Sequence, residues 1–188
     1  MLDIALKEWA VVCDLLVEGR LAVLLRKGGI LEAGGPGMFE LEHPRFALFP
    51  SWAHQRPLMI KESVRDRVQV LQEPEQITVL GIGEAARIWA VSDRGRFDAL
   101  DDLHCWTPAQ VDMRFNYKPQ NPLYLIAVRV RRLAEPRTVV NDPAYAGCRS
   151  WVPLLKEDRV DDAGAIPVLD DETFAKVVSR IESALGSP

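Results

Sequence analysis

The sequence LYLIAVRVRRL, at residues 123–133, carries the clearest strand pattern in the chain. Successive side chains of a strand point to opposite faces of its sheet. One face would hold Leu123, Leu125 and Ala127 followed by two arginines, and the residues between them would form an apolar second face. Asn121 and Pro122 precede this run, so we predict a strand that starts at about residue 123.

Two further apolar runs lie near the start of the chain, AVVCDLLV at residues 10–17 and RLAVLLR at residues 20–26. Glu18 and Gly19 separate them, and two turn residues between strand-like runs are typical of a tight β-hairpin. Both runs are more apolar than simple alternation would give. We therefore predict that this hairpin lies at the centre of the sheet.

The remaining elements follow from caps, turn residues and periodicity. Thr107-Pro108 with Gln110 matches a capping box at the start of a helix, and Asp170 with Asp171 suits the N-terminal dipole of another. We predict strands at 38–41, at 45–49 and on both sides of a glycine-marked bend in 76–92, and helices at 53–70, 97–103, 108–116 and 171–185. Helices inserted among strands favour an α+β fold, with an antiparallel or mixed curled sheet and flanking helices.

The length of the chain and the distribution of its charges indicate how its domains are organised. A length of 188 residues fits one domain. The net charge of −4 arises entirely in residues 156–188, because residues 1–155 hold equal numbers of basic and acidic side chains. We predict one α+β domain over 1–155, on which an acidic connector and an amphipathic helix of 156–188 pack. A neutral body can carry a basic face, so a polyanionic partner is not excluded.

Several kinds of location and site find no support in the sequence. No apolar run reaches the roughly 18 residues that span a bilayer, and the first nine residues lack a signal-peptide core. We therefore expect a cytoplasmic protein with no membrane partner. Cys13, Cys105 and Cys148 are far apart and odd in number, which argues against a disulfide framework and against a zinc site. We expect neither a metal nor a cofactor.

The first candidate site is the turn Arg26-Lys27-Gly28-Gly29. Two cations at a strand end precede glycines that let backbone N–H groups point outward, and such a turn can hold a phosphate or a carboxylate. The order differs from that of a P-loop, in which a lysine and a hydroxyl residue follow the glycines. The alternative is a solvated turn with charges at the end of a strand.

The second candidate is the cluster Ser51, Trp52, His54 and Gln55, which directly follows a predicted strand. Trp52 can stack on a base, and Gln55 can read a base edge. His54 can carry a proton near neutral pH. The alternative is a strand-to-helix turn in which Ser51 caps the helix and Trp52 packs against the core.

A third candidate is the pair Arg114 and Lys118, four residues apart and on one helix face if the predicted helix continues that far. With the arginines of the next strand they can complete a basic surface along a phosphate backbone. The alternative is a set of ordinary surface charges that pair with nearby carboxylates.

Cys148 beside Arg149 suggests a nucleophile, with His54 or His104 as its base. No spacing in the sequence supports that interpretation. We therefore expect a buried cysteine in a turn that Trp151 packs.

Five strings of the chain resemble the domain-of-unknown-function 1802 family of bacterial proteins. They are Lys7-Glu8-Trp9, residues 25–30, residues 46–55, Pro122-Leu123 with the following strand, and residues 145–151. Together they span roughly residues 5–155, and Ser51-Trp52 departs from the threonine and tyrosine-like residue expected there. The resemblance implies no established activity, but it suggests an occasional association with restriction-type systems. The order of elements is also similar to PUA-like and EVE-like domains, small curled sheets that bind RNA or modified bases.

Three functions follow from these observations. The leading prediction is a nucleic-acid or nucleotide-binding module without catalysis of its own, linked to restriction and defence or to RNA metabolism. The turn at 26–29 would contact the phosphate, and the cluster at 51–55 would receive a base. The alternatives are a small enzyme on a phosphorylated or carboxylated substrate, with His54 as acid and base, and a protein-interaction subunit that uses residues 156–188. The sequence leaves the ligand and the oligomeric state open.

Overall fold

The structure, a computed structural model, describes residues 1–69 and 72–188. Its strands are β1 (Ile4–Trp9), β2 (Val23–Arg26), β3 (Arg45–Ser51), β4 (Gln76–Val91), β5 (Leu123–Val140), β6 (Trp151–Pro153) and β7 (Ile166–Pro167). Its α-helices are α1 (Ala10–Val17), α2 (Glu62–Arg65), α3 (Arg94–Asp98), α4 (Pro108–Asn116) and α5 (Asp171–Leu185). Short 3-10 turns occupy Pro57–Met59, Asp101–Leu103, Pro143–Tyr145 and Lys156–Asp158.

The strands form one sheet in the order β2-β5-β4-β3-β1-β6, with β7 added on β5. Among the described residues every pairing is antiparallel except that of β1 with β3, so the sheet is mixed. Two register shifts in the long β4–β5 pair, between Val79 and Gly81 and between Ala85 and Arg87, bend the strands and help to curl the sheet into a half-barrel. The predicted α+β class with a mixed curled sheet and flanking helices is confirmed.

The predicted hairpin over residues 10–26 is wrong, because residues 10–17 form helix α1. Seven of the eight residues of α1 are buried, and a short continuous apolar run has no periodicity that separates a buried helix from a buried strand. Glu18 and Gly19 end this helix rather than turning a hairpin: the Gly19 N–H donates to the Leu16 carbonyl (3.0 Å), and Gly19 has a left-handed φ of 73°. The second run supplies β2, which pairs with β5.

The structure confirms some of the other predicted helices and strands and contradicts others. Strand β3, helix α4 with Thr107 as its cap, and helix α5 with Asp170 as its cap are confirmed. The strand expected at 38–41 does not form, and the bend expected in 76–92 is a bulged continuous strand, β4. The helix expected at 53–70 is reduced to the turn Pro57–Met59 and helix α2, and its last residue lies outside the described residues.

The C-terminal helix packs against the main core of the protein. Phe174 and Ile181 of α5 are buried in the same cluster as Leu123, Leu125 and Ala127 of β5. The division of the chain at residue 155 stays a prediction. No helix of the described ranges 1–69 and 72–188 is long and apolar enough to cross a membrane.

His104 is a buried histidine whose environment makes folding depend on pH. Its ring stacks on Phe97, with ring centroids 5.1 Å apart and an interplanar angle of 6°. Burial, followed by the nearby charge of Lys61, lowers the pKa of His104 from 6.5 to about 4. The folded protein therefore holds this imidazole neutral over a pH range in which the unfolded chain protonates it.

We predict that acid weakens the fold through His104. Its contribution to the free energy of unfolding is fully present above pH 6.5 and is lost as the pH falls towards 4, by a total of roughly 3 kcal/mol. Urea unfolding at pH 7.5 and pH 5 measures how much free energy of unfolding is lost on acidification. This loss should be smaller for His104→Phe than for the wild type, and His43→Phe should show the same loss as the wild type. Equal losses in His104→Phe and the wild type would contradict this assignment.

Candidate ligand-binding cleft

A cleft of about 530 Å³ opens where strands β1, β2 and β3 end. Three sides are lined by residues 7–9 of β1, by residues 26–29 at the end of β2 and beyond it, and by Ser51, Ala53 and His54. Residues 141–150, which connect β5 with β6, line the fourth side. The strings singled out in the sequence therefore meet around one cavity, although they are distant along the chain.

A buried ion pair fixes the wall between β1 and β2. Arg26 Nη1 lies 2.9 Å from Glu8 Oε2, and both side chains are buried. Arg26 Nη2 also donates to Ser150 Oγ (2.6 Å), and Ser150 Oγ donates to Glu32 Oε1 (2.6 Å). The same Glu32 oxygen accepts from the Gly29 N–H (2.6 Å). The guanidinium of Arg26 is thus part of the framework of the cleft.

The glycines of the turn serve a close approach between two chain segments. A Cβ on Gly29 would lie 2.3 Å from the Cys148 carbonyl oxygen, and that oxygen accepts from the N–H groups of Ile30 and Leu31, both at 3.0 Å. Gly28 has a left-handed φ of 92° and packs on the backbone of residues 38–39. The Gly29 N–H does not point outward as expected, because it donates to Glu32 Oε1, and the following N–H groups of Ile30 and Leu31 donate to the Cys148 carbonyl. Anion binding by the turn stays a prediction.

Lys27 has a buried side chain that points away from the solvent. Its Nζ donates to the Asn121 carbonyl (2.8 Å), and burial lowers the pKa of this amine from its ordinary value. Lys27 lines the cleft, but its charge is held against the start of β5. A contact between Lys27 and a ligand stays a prediction.

The structure gathers seven of the ten predicted site residues around the cleft: Arg26, Lys27, Gly28, Gly29, Ser51, His54 and Arg114. Trp52, Gln55 and Lys118 are not among the described residues that line it. Gln55 is buried, accepts from the Val11 N–H of α1 (2.9 Å) and donates to the Gln69 carbonyl (2.9 Å), so it holds the first turn of that helix. The Trp52 ring packs against a core cluster, and Lys118 contacts the Gly37 loop.

Ser51 at the end of β3 is bound to a carboxylate that the sequence did not indicate. Its hydroxyl donates to Glu73 Oε1 (2.5 Å), which also accepts from the N–H groups of Trp52 (3.1 Å) and Ala53 (2.8 Å). Glu73 thereby fixes the turn after β3 and places a negative charge on the edge of the cleft.

Lys7 and Arg149 are cations of the cleft that motif analysis missed. Lys7 Nζ donates to the carbonyls of Tyr145 (2.5 Å) and Gly147 (3.3 Å). Burial lowers the pKa of Lys7, Glu73 opposes this shift and Arg149 adds to it. Arg149 is half-buried, and its Nε has no hydrogen-bond partner within the described part of the chain. Both residues lie in strings that resemble the family, and the sequence otherwise indicated Arg149 only as the neighbour of Cys148.

Arg114 reaches the cleft from helix α4. Its guanidinium lies over the rings of Trp9 (6.0 Å) and Trp106 (5.6 Å), and its Nη1 donates to the Leu25 carbonyl (3.2 Å). Its Nε is buried without a partner in residues 1–69 and 72–188. Burial lowers the pKa of Arg114, and the nearby carboxylate of Glu8 opposes this shift.

The expectation of a buried Cys148 is wrong. Its side chain is exposed in the cleft, and Sγ lies 3.8 Å from Nε2 of His54. His54 has a left-handed φ of 63°, a conformation that non-glycine residues seldom adopt. Trp151 packs in the core as expected, but the chain has turned Cys148 outward three residues earlier.

Comparison with known proteins shows to which family the chain belongs. The family model described as Domain of unknown function (DUF1802) matches residues 5–180. The chain belongs to this family. Among curated proteins, none matches this chain in sequence.

Three solved structures of an ASCH protein from Zymomonas mobilis are similar to this chain. The first is 15% identical, covers 82% of this chain and 89% of its own, and has a TM-score of 0.46. A tyrosine-to-phenylalanine variant is 15% identical, covers 82% of this chain and 91% of its own, and has a TM-score of 0.48. A serine-to-alanine variant is 14% identical, covers 94% of each chain, and has a TM-score of 0.45.

We predict that Gly29→Ala destabilises the protein by about 2–3 kcal/mol, because its Cβ would overlap the Cys148 carbonyl. Gly95→Ala in α3 is the matched control, since its Cβ would approach only one side-chain atom, at 3.3 Å. We expect that control to be neutral or slightly stabilising in urea unfolding. Equal stability of the two variants would show that the close approach at Gly29 is not required.

Proposed function

We propose that the cleft binds the phosphate of a nucleotide, either free or within a nucleic-acid strand. Five cationic side chains line the cavity, against three carboxylates. Two of those carboxylates already serve the fold, Glu8 in the ion pair with Arg26 and Glu73 in the turn after β3. The remaining positive charge favours an anionic ligand.

The observation that carries the proposal is the state of Arg114 and Arg149. Neither guanidinium forms a salt bridge within the described ranges, and each has a buried Nε without a partner. A desolvated cation without a counter-charge costs free energy, and an anion that accepts from it offsets that cost. The arginines are therefore positioned for a ligand that supplies oxygen acceptors.

The arrangement of the cations favours phosphate over a single carboxylate. Lys7 lies on β1, Arg114 on α4 and Arg149 before β6, so they face the cavity from separate walls. A phosphate presents several anionic oxygens in different directions, whereas a carboxylate presents two in one plane. Donors on three walls of the cavity therefore match a phosphate better than a carboxylate.

The rest of the cavity supports a ligand with a ring as well as a charge. Trp9, Phe49 and Ile77 contribute apolar lining beside the cations. Sites for small molecules are typically 300–1,000 Å³, with mostly apolar walls and a few convergent polar groups, and about 530 Å³ lies within that range. We assign the base contacts predicted for Trp52 and Gln55 to these residues instead, because the Trp52 ring packs against a core cluster and Gln55 binds the first turn of α1.

We predict that AMP binds this protein and that Arg149→Ala weakens binding by about 10- to 100-fold, the loss of one or two charge-assisted hydrogen bonds. Arg159→Ala is the matched control, because Arg159 is an exposed cation that does not line the cleft. Isothermal titration with AMP, adenosine and short single-stranded RNA and DNA would separate the contributions of phosphate, base and strand. A strand ligand would show affinity that falls with added salt more steeply than that of AMP.

Two outcomes would contradict the proposal. If adenosine bound as tightly as AMP, the proposed phosphate contact would be contradicted. If Arg149→Ala and Arg114→Ala both kept the wild-type affinity for AMP, the proposed arginine contact would be contradicted. Tighter binding of single-stranded RNA or DNA than of AMP would support a link to restriction systems or to RNA metabolism.

The two alternative functions differ in their support. An enzyme that uses His54 as acid and base gains one specific observation, the contact between His54 and Cys148. A protein-interaction subunit that uses residues 156–188 stays a prediction. Helix α5 places the apolar side chains Phe174 and Ile181 in the core rather than on the surface.

A further inference from the structure

The three cysteines of the chain differ sharply in their surroundings. Cys13 and Cys105 are buried, and Cys148 is exposed in the cleft. Burial raises the pKa of Cys13 well above its ordinary value and raises the pKa of Cys105 to about 12, so both remain unreactive thiols near neutral pH. The two buried cysteines therefore serve as internal controls for the chemistry of Cys148.

The backbone around Cys148 is held from two sides. Its carbonyl accepts from the N–H groups of Ile30 and Leu31, and the preceding carbonyl of Gly147 accepts from Lys7 Nζ at 3.3 Å. These bonds fix the residue while leaving its thiol in the cavity. Sγ and Nε2 of His54 lie 3.8 Å apart, within the sulfur hydrogen-bond range, so an imidazole base is in reach of the thiol.

The cavity around this pair is built for a ligand on independent grounds. Arg26 is buried and lines the same cleft, and although its two terminal nitrogens bind Glu8 and Ser150, its Nε is unpaired within the described residues. Arg149, next to Cys148, has the same unpaired atom. Lys7 and Arg149 line the cleft with Cys148, and the pKa of Lys7 responds to the nearby Arg149 and Cys148. Their positive charge can stabilise an oxyanion formed by attack of the thiol.

We propose that Cys148 and His54 form a nucleophile and general base for acyl transfer, acting on an ester, thioester or activated amide of a ligand held in the cleft. The preference for an anionic acyl donor rests on the proposed function. The nucleophilic pair itself rests only on the geometry of Cys148 and His54.

The reaction balances without a further reactant except water. His54 Nε2 takes the Cys148 thiol proton, and Sγ attacks the acyl carbon while the carbonyl electrons move to oxygen beside Lys7 and Arg149. The tetrahedral species collapses, the bond to the leaving oxygen, nitrogen or sulfur breaks, and His54 gives its proton to that group. Water, deprotonated by His54, then attacks the thioester, and Cys148 leaves and regains its proton. No group is oxidised or reduced.

Acyl transfer fits the surroundings of Cys148 better than phosphoryl transfer to sulfur does. A phosphoryl-transferring thiol would need a concave set of free backbone N–H groups around the phosphate. Here Ile30 and Leu31 donate to the Cys148 carbonyl, and the Arg149 N–H donates to the Gly147 carbonyl (3.1 Å). The side-chain cations Lys7 and Arg149 can stabilise the oxyanion of an acyl transfer without such N–H groups.

The test uses p-nitrophenyl acetate with the full chain. We expect release of p-nitrophenol and a thioester that peptide mass mapping places on Cys148, with Cys13 and Cys105 unmodified. Cys148→Ala should abolish the adduct, and His54→Gln should slow acylation by roughly 100-fold or more. The rate of His54→Gln should also depend more steeply on pH, because solvent then replaces the imidazole as the base. His43→Gln, a histidine outside the cleft, should keep the wild-type rate.

The outcomes separate this inference from the proposed function. Acylation at the wild-type rate in His54→Gln, or the absence of a Cys148 thioester in wild-type protein that binds AMP, would overturn the nucleophilic pair and leave the binding proposal standing. A Cys148 thioester that requires His54 in a protein that does not bind AMP would support the pair and overturn the phosphate contact. Slower acylation of the wild type in the presence of AMP would support both.

Discussion

The ion pair between Glu8 and Arg26 joins the two strand ends that form the cleft. Both side chains are buried, and loss of one partner from such a pair typically costs about 3–5 kcal/mol because the other charge is left without compensation. The pair also extends through Ser150 and Glu32 to the Gly29 turn, so three chain segments share one hydrogen-bonded network. The positions of the cleft walls therefore depend on a single desolvated interaction.

This network explains why some cations of the cleft are structural and others are available. Arg26 is neutralised by Glu8, and Lys27 is held by a carbonyl at the start of β5. Within residues 1–69 and 72–188, the Nε atoms of Arg114 and Arg149 are unpaired on the walls of a cavity large enough for a nucleotide. Such partly desolvated guanidinium groups carry a free-energy cost that an anionic ligand offsets.

The Gly29 turn, which is predicted to hold an anion, also has a structural role. Its backbone donors bind Glu32 and the carbonyl of Cys148, and the missing side chain of Gly29 lets that carbonyl approach. The turn therefore positions the Cys148 thiol, while anion binding by the turn stays a prediction. Charge and glycine content showed that the turn was unusual, but Cys148, whose carbonyl accepts from Ile30 and Leu31, lies more than 100 residues away, so no local pattern could identify it.

The sequence by itself determined the elements whose signals are local. Helix α4 follows from the Thr107 cap, helix α5 from the Asp170 cap and its apolar period, and β5 from the run at 123–133. Tertiary structure decided the rest. Residues 10–17 became a helix because an apolar run buried all round fits either element and its neighbours select one. The meeting of His54 with Cys148, and of Lys7 with Arg114 and Arg149, depends on strand order and on long-range pairing, which spacing along the chain does not encode.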